Sequence, residues 1–382
     1  MRFILVAVSC FLLCFSQLSV SQEGSQKEAQ EEAQISKEFT KTYRAYNAAY
    51  SQRNYARAAE LARKALDLAV AELGQKHEKI PVLQINLAHV LIIIGDIEQA
   101  EPMLLEAKAR MIKQLGADSP DLITIHEDHA KIHAAKQELD QARAELDTII
   151  NIITKASGAR ATGIANVLVQ QAAIHIAQED LDAGAAAYSE ALAIYDENFG
   201  KDNVRSADVI SLLGDVDLTR RDYQQAEQKY LEALRIYQAN LLADDPIVLA
   251  NHNRLAKLYV ALRDDKFAEH ADKVIRHTPD QDGPAVPLFV MQPRYPVFED
   301  GVRPTGWALV EFTVTTDGKA LNPTIVESKP GRLFDQVTLE VAPKWRFRPK
   351  VAEGQRVEQP NTRVRLVFVQ DNIEVYFGEL KL

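Results

Sequence analysis

Three histidines form the first pattern that could do chemistry. His126, His129 and His133 stand at i, i+3 and i+7, with Glu127 beside the first. On a helix this spacing gathers three imidazoles on one face, where they could ligate zinc and serve a metal-dependent hydrolase. Two features oppose that reading. His129 shares a 42-residue phase with Leu87, Leu213 and Leu255, a core-type position. His133 and His175 lie one such period apart, so packing explains them as well. No fourth ligand and no water-activating group accompanies them. A second pattern is Lys344-Trp345-Arg346-Phe347-Arg348-Pro349-Lys350, which interleaves bases with aromatics as nucleic-acid binders do. Strand alternation offers a simpler reading, with Trp345 and Phe347 in a core and the charges in solvent. No Ser/His/Asp set, phosphate loop or paired-carboxylate motif stands out. The chain reads as non-enzymatic, with no cofactor and no nucleic-acid partner.

Composition agrees. The 382 residues are 47% apolar and 26% charged, with a net charge of -10. This is globular composition, long enough for roughly two domains. The acidity opposes a nucleic-acid footprint. Both cysteines, Cys10 and Cys14, fall in an amino-terminal stretch that reads as a secretory signal. Met1-Arg2-Phe3 leads an apolar run, Ser19-Val20-Ser21 gives a small-x-small site, and polar sequence follows from Gln22. The run is short for a membrane span of about 20 residues, and an uncleaved anchor is the alternative. Cleavage leaves no thiol nucleophile, disulfide or thiolate ligand. Residues 1–21 are therefore expected to be the leader, and the Glu/Gln/Ala-rich 22–35 a polar spacer.

The elements that carry these residues repeat. Gly74, Gly116, Gly158 and Gly200 lie 42 apart. The same interval separates Ala58, Ala100, Ala142, Gly184, Ala226 and Ala268, and again Ala88, Ala130, Ala172, Gly214 and Ala256. A fourth series is Ala65, Ala107, Ile149, Ala191, Ala233 and Ile275. Series of small residues in one phase define a repeat of packed helices. Each unit holds two apolar-periodic segments, such as 82–94 and 97–115, joined by turns such as Gly95-Asp96 or Glu179-Asp180. The recurrent glycine reads as a helix C-cap, and Pro120 and Pro246 suit first helical turns. Asn54-Tyr55-Ala56-Arg57-Ala58 and Asp222-Tyr223-Gln224-Gln225-Ala226-Glu227, with Ala65-Leu66, Ala191-Leu192 and Ala233-Leu234, resemble tetratricopeptide repeats of the long-helix kind found in kinesin light chains. The resemblance covers about 36–277 as six units. It implies an all-α solenoid whose concave surface docks a protein partner that the sequence does not name.

Composition then shifts. Eleven of the fifteen prolines and both tryptophans fall from Pro279 onward. Residues 278–286 read as a turn-rich linker. Beyond Pro284 the charges nearly cancel, 13 basic against 12 acidic, so the acidity belongs to the repeats. The spacing predicts a strand over 307–315, with Ala308, Val310, Phe312 and Val314 on one face. A Thr316-Asp317-Gly318-Lys319 turn follows, then a strand over 321–327. A short helix over 331–342 carries Leu333, Phe334, Val337 and Val341, and a strand over 362–369 completes a small α+β domain.

Several segments of this region occur in a known order: Pro293-x-Tyr295-Pro296, Gly306-Trp307, Val310-x-Phe312-x-Val314, Asp317-Gly318, Val326-x-Ser328-x-Pro330, Phe334-Asp335, Lys344-Trp345-Arg346-Phe347-Arg348-Pro349 and Val364-x-Leu366-x-Phe368. Over about 287–370 they resemble the C-terminal domain of TonB-family energy transducers. The resemblance implies that this domain grips a short segment of a TonB-dependent outer-membrane receptor by strand addition. It points to Tyr295 and Pro296, and to the run Thr362, Arg363, Val364, Arg365, Leu366, Val367, Phe368 and Val369. That family begins with a membrane helix bearing a motor-coupling histidine, followed by a long Pro-rich spacer. Here no histidine precedes His77, and the repeats stand in the spacer's place. Coupling to inner-membrane motor components, which the resemblance also implies, thus lacks its usual residues. In the remaining 371–382, Ile373-Glu374-Val375-Tyr376-Phe377 has strand character. It is expected to fold back onto 362–369 and cover an exposed edge. The expectation is a non-enzymatic periplasmic adaptor assisting TonB-dependent transport. A soluble scaffold without energy coupling and a hydrolase on the histidine face are the alternatives.

Overall fold

The computed structural model describes residues 36–296, 303–369, 372–378 and 380–381. The expected leader and spacer lie outside the described residues. The chain divides into two compact units, one through Ala156 and one from Ser157. The first holds the helical hairpins α1 (Lys37–Ser51) with α2 (Tyr55–Leu73), α3 (Ile80–Ile94) with α4 (Ile97–Leu115), and α5 (Ile123–Ala135) with α6 (Leu139–Ser157). The second begins with α7 (Thr162–Ala177) and α8 (Leu181–Phe199), α9 (Val204–Thr219) and α10 (Tyr223–Asn240), and α11 (Pro246–Leu262) and α12 (Phe267–Arg276). Among the described residues no helix is long and apolar enough to cross a membrane.

The hairpins are written into the sequence twice over. At each turn one residue takes the left-handed conformation: Arg53, Gly95, Gln137, Glu179, Arg221 and Arg263, all at φ of 54–86°. Only one of the six is glycine, so tertiary packing overrides the usual preference there. The next residue caps the second helix. Asn54, Asp96, Asp180 and Asp222 each accept a hydrogen bond from the backbone amide three residues on. The small residues then set the distance between helices. Ala58, Ala100, Ala142 and Ala226 are wholly buried, as are Ala88, Ala172 and Ala256. At Gly214 the approach is close, since a Cβ there would stand 2.7 Å from the Tyr230 ring, and at Gly184 one would stand 2.7 Å from Ile176.

A strand-rich domain follows the last hairpin. Its main sheet has the order β3 (Ala320–Lys329), β2 (Gly306–Val314), β7 (Gln359–Val369), β8 (Asn372–Phe377), β9 (Leu380–Lys381). The helix α13 (Asp335–Val341) packs against β2 and β3, and is shorter than the 331–342 expected. Two small pairs complete it: β1 (Val286–Phe289) with β4 (Arg346–Arg348), and β5 (Lys350–Ala352) with β6 (Gln355–Val357). The inward faces are those expected, with Ala308, Val310, Phe312 and Val314 opposite Val364, Leu366 and Phe368, all buried.

Residues 278–286 are no free linker. Gly283 and Val351 exchange both backbone hydrogen bonds at 3.0 Å, Ala285 is buried, and Val286 already belongs to β1. One apolar core runs from α9 to β8 without a break, holding Tyr259, Phe267 and Ala271 together with Trp345 and Phe347. The expected solvent placement of the charges around Trp345 also fails at Arg346, which is only 7% exposed. Its guanidinium meets Asp272 of α12 at 2.7 Å, lies over the Phe267 ring and donates to the carbonyls of Pro343, Lys344 and Trp345. Lys344 pairs with Asp265 at 2.6 Å, and Arg356 pairs with Asp280 while donating to the carbonyls of Ile275 and Thr278. The alternation rule treats a strand as having a wet face, but here a helix covers that face at one residue.

Two substitutions test this packing. Gly214→Ala forces the added methyl against Tyr230, which outweighs its gain in helix propensity, and is expected to cost about 1–2 kcal/mol in urea-unfolding free energy. Arg346→Ala removes the charge that fills the junction, with an expected cost of about 1–3 kcal/mol and new proteolytic cleavage within 278–286.

Candidate functional site

The strand expected to receive a partner is β7. Its residues alternate as read from sequence. Val364, Leu366 and Phe368 enter the core and Thr362 is also buried. Arg363, Arg365 and Val369 are exposed and Val367 half-buried. Arg363 pairs with Glu311 of β2 at 2.7 Å, and the Arg365 guanidinium lies 4.9 Å from the Trp307 ring centroid. However, β7 is not an edge. β2 flanks it on one side, from Gly306 opposite Phe368 to Val314 opposite Gln359. On the other side β8 pairs with it, from Val364 opposite Phe377 to Val369 opposite Asn372. The fold-back anticipated for 373–377 is thus present, and it covers Val364–Val369 on the side away from β2. The sheet's margins are β3 and the short β9, which pairs with Tyr376 and Phe377.

The Tyr-Pro segment is a strap across the end of the sheet. The indole of Trp345 donates to the Met291 carbonyl at 2.9 Å. Arg263, at the turn between α11 and α12, donates to the carbonyls of Gln292 and Pro293 at 3.1 and 3.2 Å. The Gln292 side-chain amide donates to the Ile373 carbonyl of β8 at 3.0 Å. Tyr295 sets its ring edge-on against Phe334 and Phe368, and its hydroxyl donates to the Pro304 carbonyl. Tyr295 and β7 are therefore brought together as expected, with the Tyr295 ring engaged in packing and Pro296 half-buried beside it. Arg263 and Gln292 escaped the sequence reading. The 42-residue phase marks Arg263 as a turn residue, but nothing local marks Gln292.

With this geometry in view, comparison with known proteins is direct. Residues 291–369 match the family described as Gram-negative bacterial TonB protein C-terminal. Residues 47–78 and 163–239 match tetratricopeptide repeat families. The chain joins tetratricopeptide repeats to a TonB-type C-terminal domain. The protein TonB of Pseudomonas aeruginosa is 35% identical over 78 residues, which cover 20% of this chain and 23% of that protein. The protein TonB of Escherichia coli strain K12 is 34% identical over 58 residues, covering 15% and 24% respectively. This chain thus spans about a quarter of the length of these relatives. A solved signal-transduction ATPase of Pyrococcus horikoshii with a tetratricopeptide repeat sensor aligns with a TM-score of 0.51 at 16% identity, over 62% of this chain and 36% of that one. That likeness concerns the fold alone.

The histidine face lies in the first unit, away from the TonB-type domain in sequence. His126 and His129 are buried, and both bond through Nδ1 to Glu145 of α6, the latter at 3.3 Å. His129, His133 and Glu145 offer donor atoms within 4.8 Å of one another. The Lys108 ammonium already stands among them, 2.8 and 3.0 Å from the Glu145 oxygens and 3.4 Å from His129. His133 turns to Glu138 at 2.7 Å. Burial raises the Glu145 carboxyl, but hydrogen bonds from His126, His129 and Lys108 outweigh it and hold the group well below the usual carboxylate range. A divalent ion at this cluster would have to displace that lysine, whose charge is matched by Glu145. A second network went unread: Tyr50 to His89 at 3.0 Å, His89 to the wholly buried Asp128 at 2.9 Å, and Lys131 to Asp128 at 2.8 Å. The period held a signal for it, because His89 and Lys131 are 42 apart.

One titratable pair sits within the last hairpin, between α11 and α12. His252 and His270 are buried and share a hydrogen bond between their Nδ1 atoms at 2.8 Å, so one ring donates and the other accepts. Burial, with Lys273 and the neighbouring ring, lowers His252 to about 4, and burial lowers His270 as well. Both are neutral in the folded chain at pH 7 and titrate near 6.5 when unfolded. Their stabilisation is complete above pH 6.5 and is lost as pH falls towards 4, on the order of 2–3 kcal/mol from His252. Urea midpoints at pH 7.5 and 4.5 should show that loss, and His252→Gln should reduce it.

Proposed function

We propose that this protein is a non-enzymatic periplasmic adaptor, similar to an energy transducer, that assists TonB-dependent transport across an outer membrane by protein–protein contacts. The observation that carries the reading is the TonB-type domain itself, whose strand β7 presents alternating apolar and basic residues beside the Tyr295 strap. A strand is recognised by another strand through its main-chain groups, with alternate side chains giving specificity. The partner on this side is an extended segment of a TonB-dependent receptor. The repeats supply a second surface for a further protein, which fits the general use of such arrays. The secretory leader read in 1–21 supports a periplasmic location.

A second reading keeps both contacts and omits coupling to the inner-membrane motor. It is favoured by the close packing of the TonB-type domain on α12, where the family has a long spacer. Both readings share one test. Because the domain shares its core with the last hairpin, the test uses the whole chain from Gln22. Synthetic amino-terminal segments of TonB-dependent receptors are expected to bind in fluorescence anisotropy, and a matched segment with proline at alternate positions is expected not to. Equal binding of both, or none by either, refutes the adaptor. Co-purification with motor proteins separates the first reading from the second.

A further inference from the structure

We propose that β8 is a resident strand that holds the β7 edge closed, that an extended partner segment gains this edge by displacing β8, and that the Gln292 strap sets how readily β8 leaves. The proposal deepens the adaptor reading and rests on it for the identity of the incoming segment.

The first observation is where β8 sits. It pairs with the Val364–Val369 half of β7, on the side opposite β2, in six consecutive residue pairs. The match to the TonB C-terminal family ends at Val369, and β8 begins at Asn372, beyond it. The second observation is how β8 is held. β2 is paired along both sides and buries four side chains. β8 buries two, Ile373 and Val375, with Phe377 against the Phe347 ring. Among the described residues its outer side pairs with β9 at Tyr376 and Phe377 and meets the Gln292 amide at the Ile373 carbonyl. A strand with few buried contacts opens at lower free energy than the core strands around it.

The third observation gives the control point. Gln292 holds β8 with its side chain, and its own carbonyl is held by Arg263. Arg263 is the left-handed turn residue of the last hairpin. A single line of hydrogen bonds thus joins the repeat array to the covering strand. The chemistry of the occupant follows from what it replaces. It must be an extended segment with apolar side chains at every second position, to fill the places of Ile373 and Val375.

Hydrogen exchange on the full chain tests the opening. Amides of 372–377 are expected to exchange at least tenfold faster than those of 306–314. Gln292→Ala should speed exchange in β8 about fivefold, the loss of one hydrogen bond, and leave β2 unchanged. Exchange in β8 as slow as in β2, or no response to Gln292→Ala, overturns the proposal. A second measurement uses a chain lacking 371–382, with circular dichroism to establish that it folds. A labelled synthetic peptide of residues 371–379 should bind this chain and not the full one. A folded truncated chain that ignores its own strand overturns the proposal. A truncated chain that takes back its own strand but ignores every receptor segment refutes the adaptor and leaves the resident strand standing.

Discussion

The structure depends on how closely paired helices can approach. At each hairpin an alanine or glycine with no accessible surface lets one helix backbone lie against its neighbour, and Gly214 has no room for even a methyl group beside Tyr230. Close approach fixes the angle of every hairpin and turns the apolar stripes within each unit into a packed core. It also explains the turns. Arg53, Gln137, Glu179, Arg221 and Arg263 accept a left-handed backbone because the helices on either side are already fixed.

The last hairpin passes this rigidity on. α12 has no following repeat to pack against, and its outer face is covered instead by β4 and the turn at Gly318. Arg346 closes the seam, with its charge matched by Asp272 and its plane against Phe267. An unmatched charge at such a site would be costly, so the pair specifies one docking geometry for the domain. The strap is anchored to the same hairpin, and through it the cover on β7.

Much of this was legible in the residues. The 42-residue spacing of small side chains marked six hairpins because helix contact leaves few choices at those positions. Alternation located β2 and β7, since each has one face in the core. What was not legible depends on partners distant in sequence. Arg346 looked solvated because its neighbours alternate, and Asp272 lies 74 residues away. The packing of the Tyr295 ring on Phe334 and Phe368 likewise depends on residues distant in sequence. The histidine face has ligand spacing, and Lys108, remote in sequence, stands against its Glu145 and His129. In each case local pattern gave the residue's direction, and a remote side chain decided its role.

The unbroken core between α12 and the sheet has a consequence for descent. Domains joined by a tether can be exchanged between genes with little penalty, because each buries its own apolar surface. Here a cut anywhere in 278–286 would bare Phe267 and Ala271 on one side and Trp345 and Phe347 on the other. The two parts are constrained to vary together at this seam, and a recombinant that swaps one must inherit its matching half.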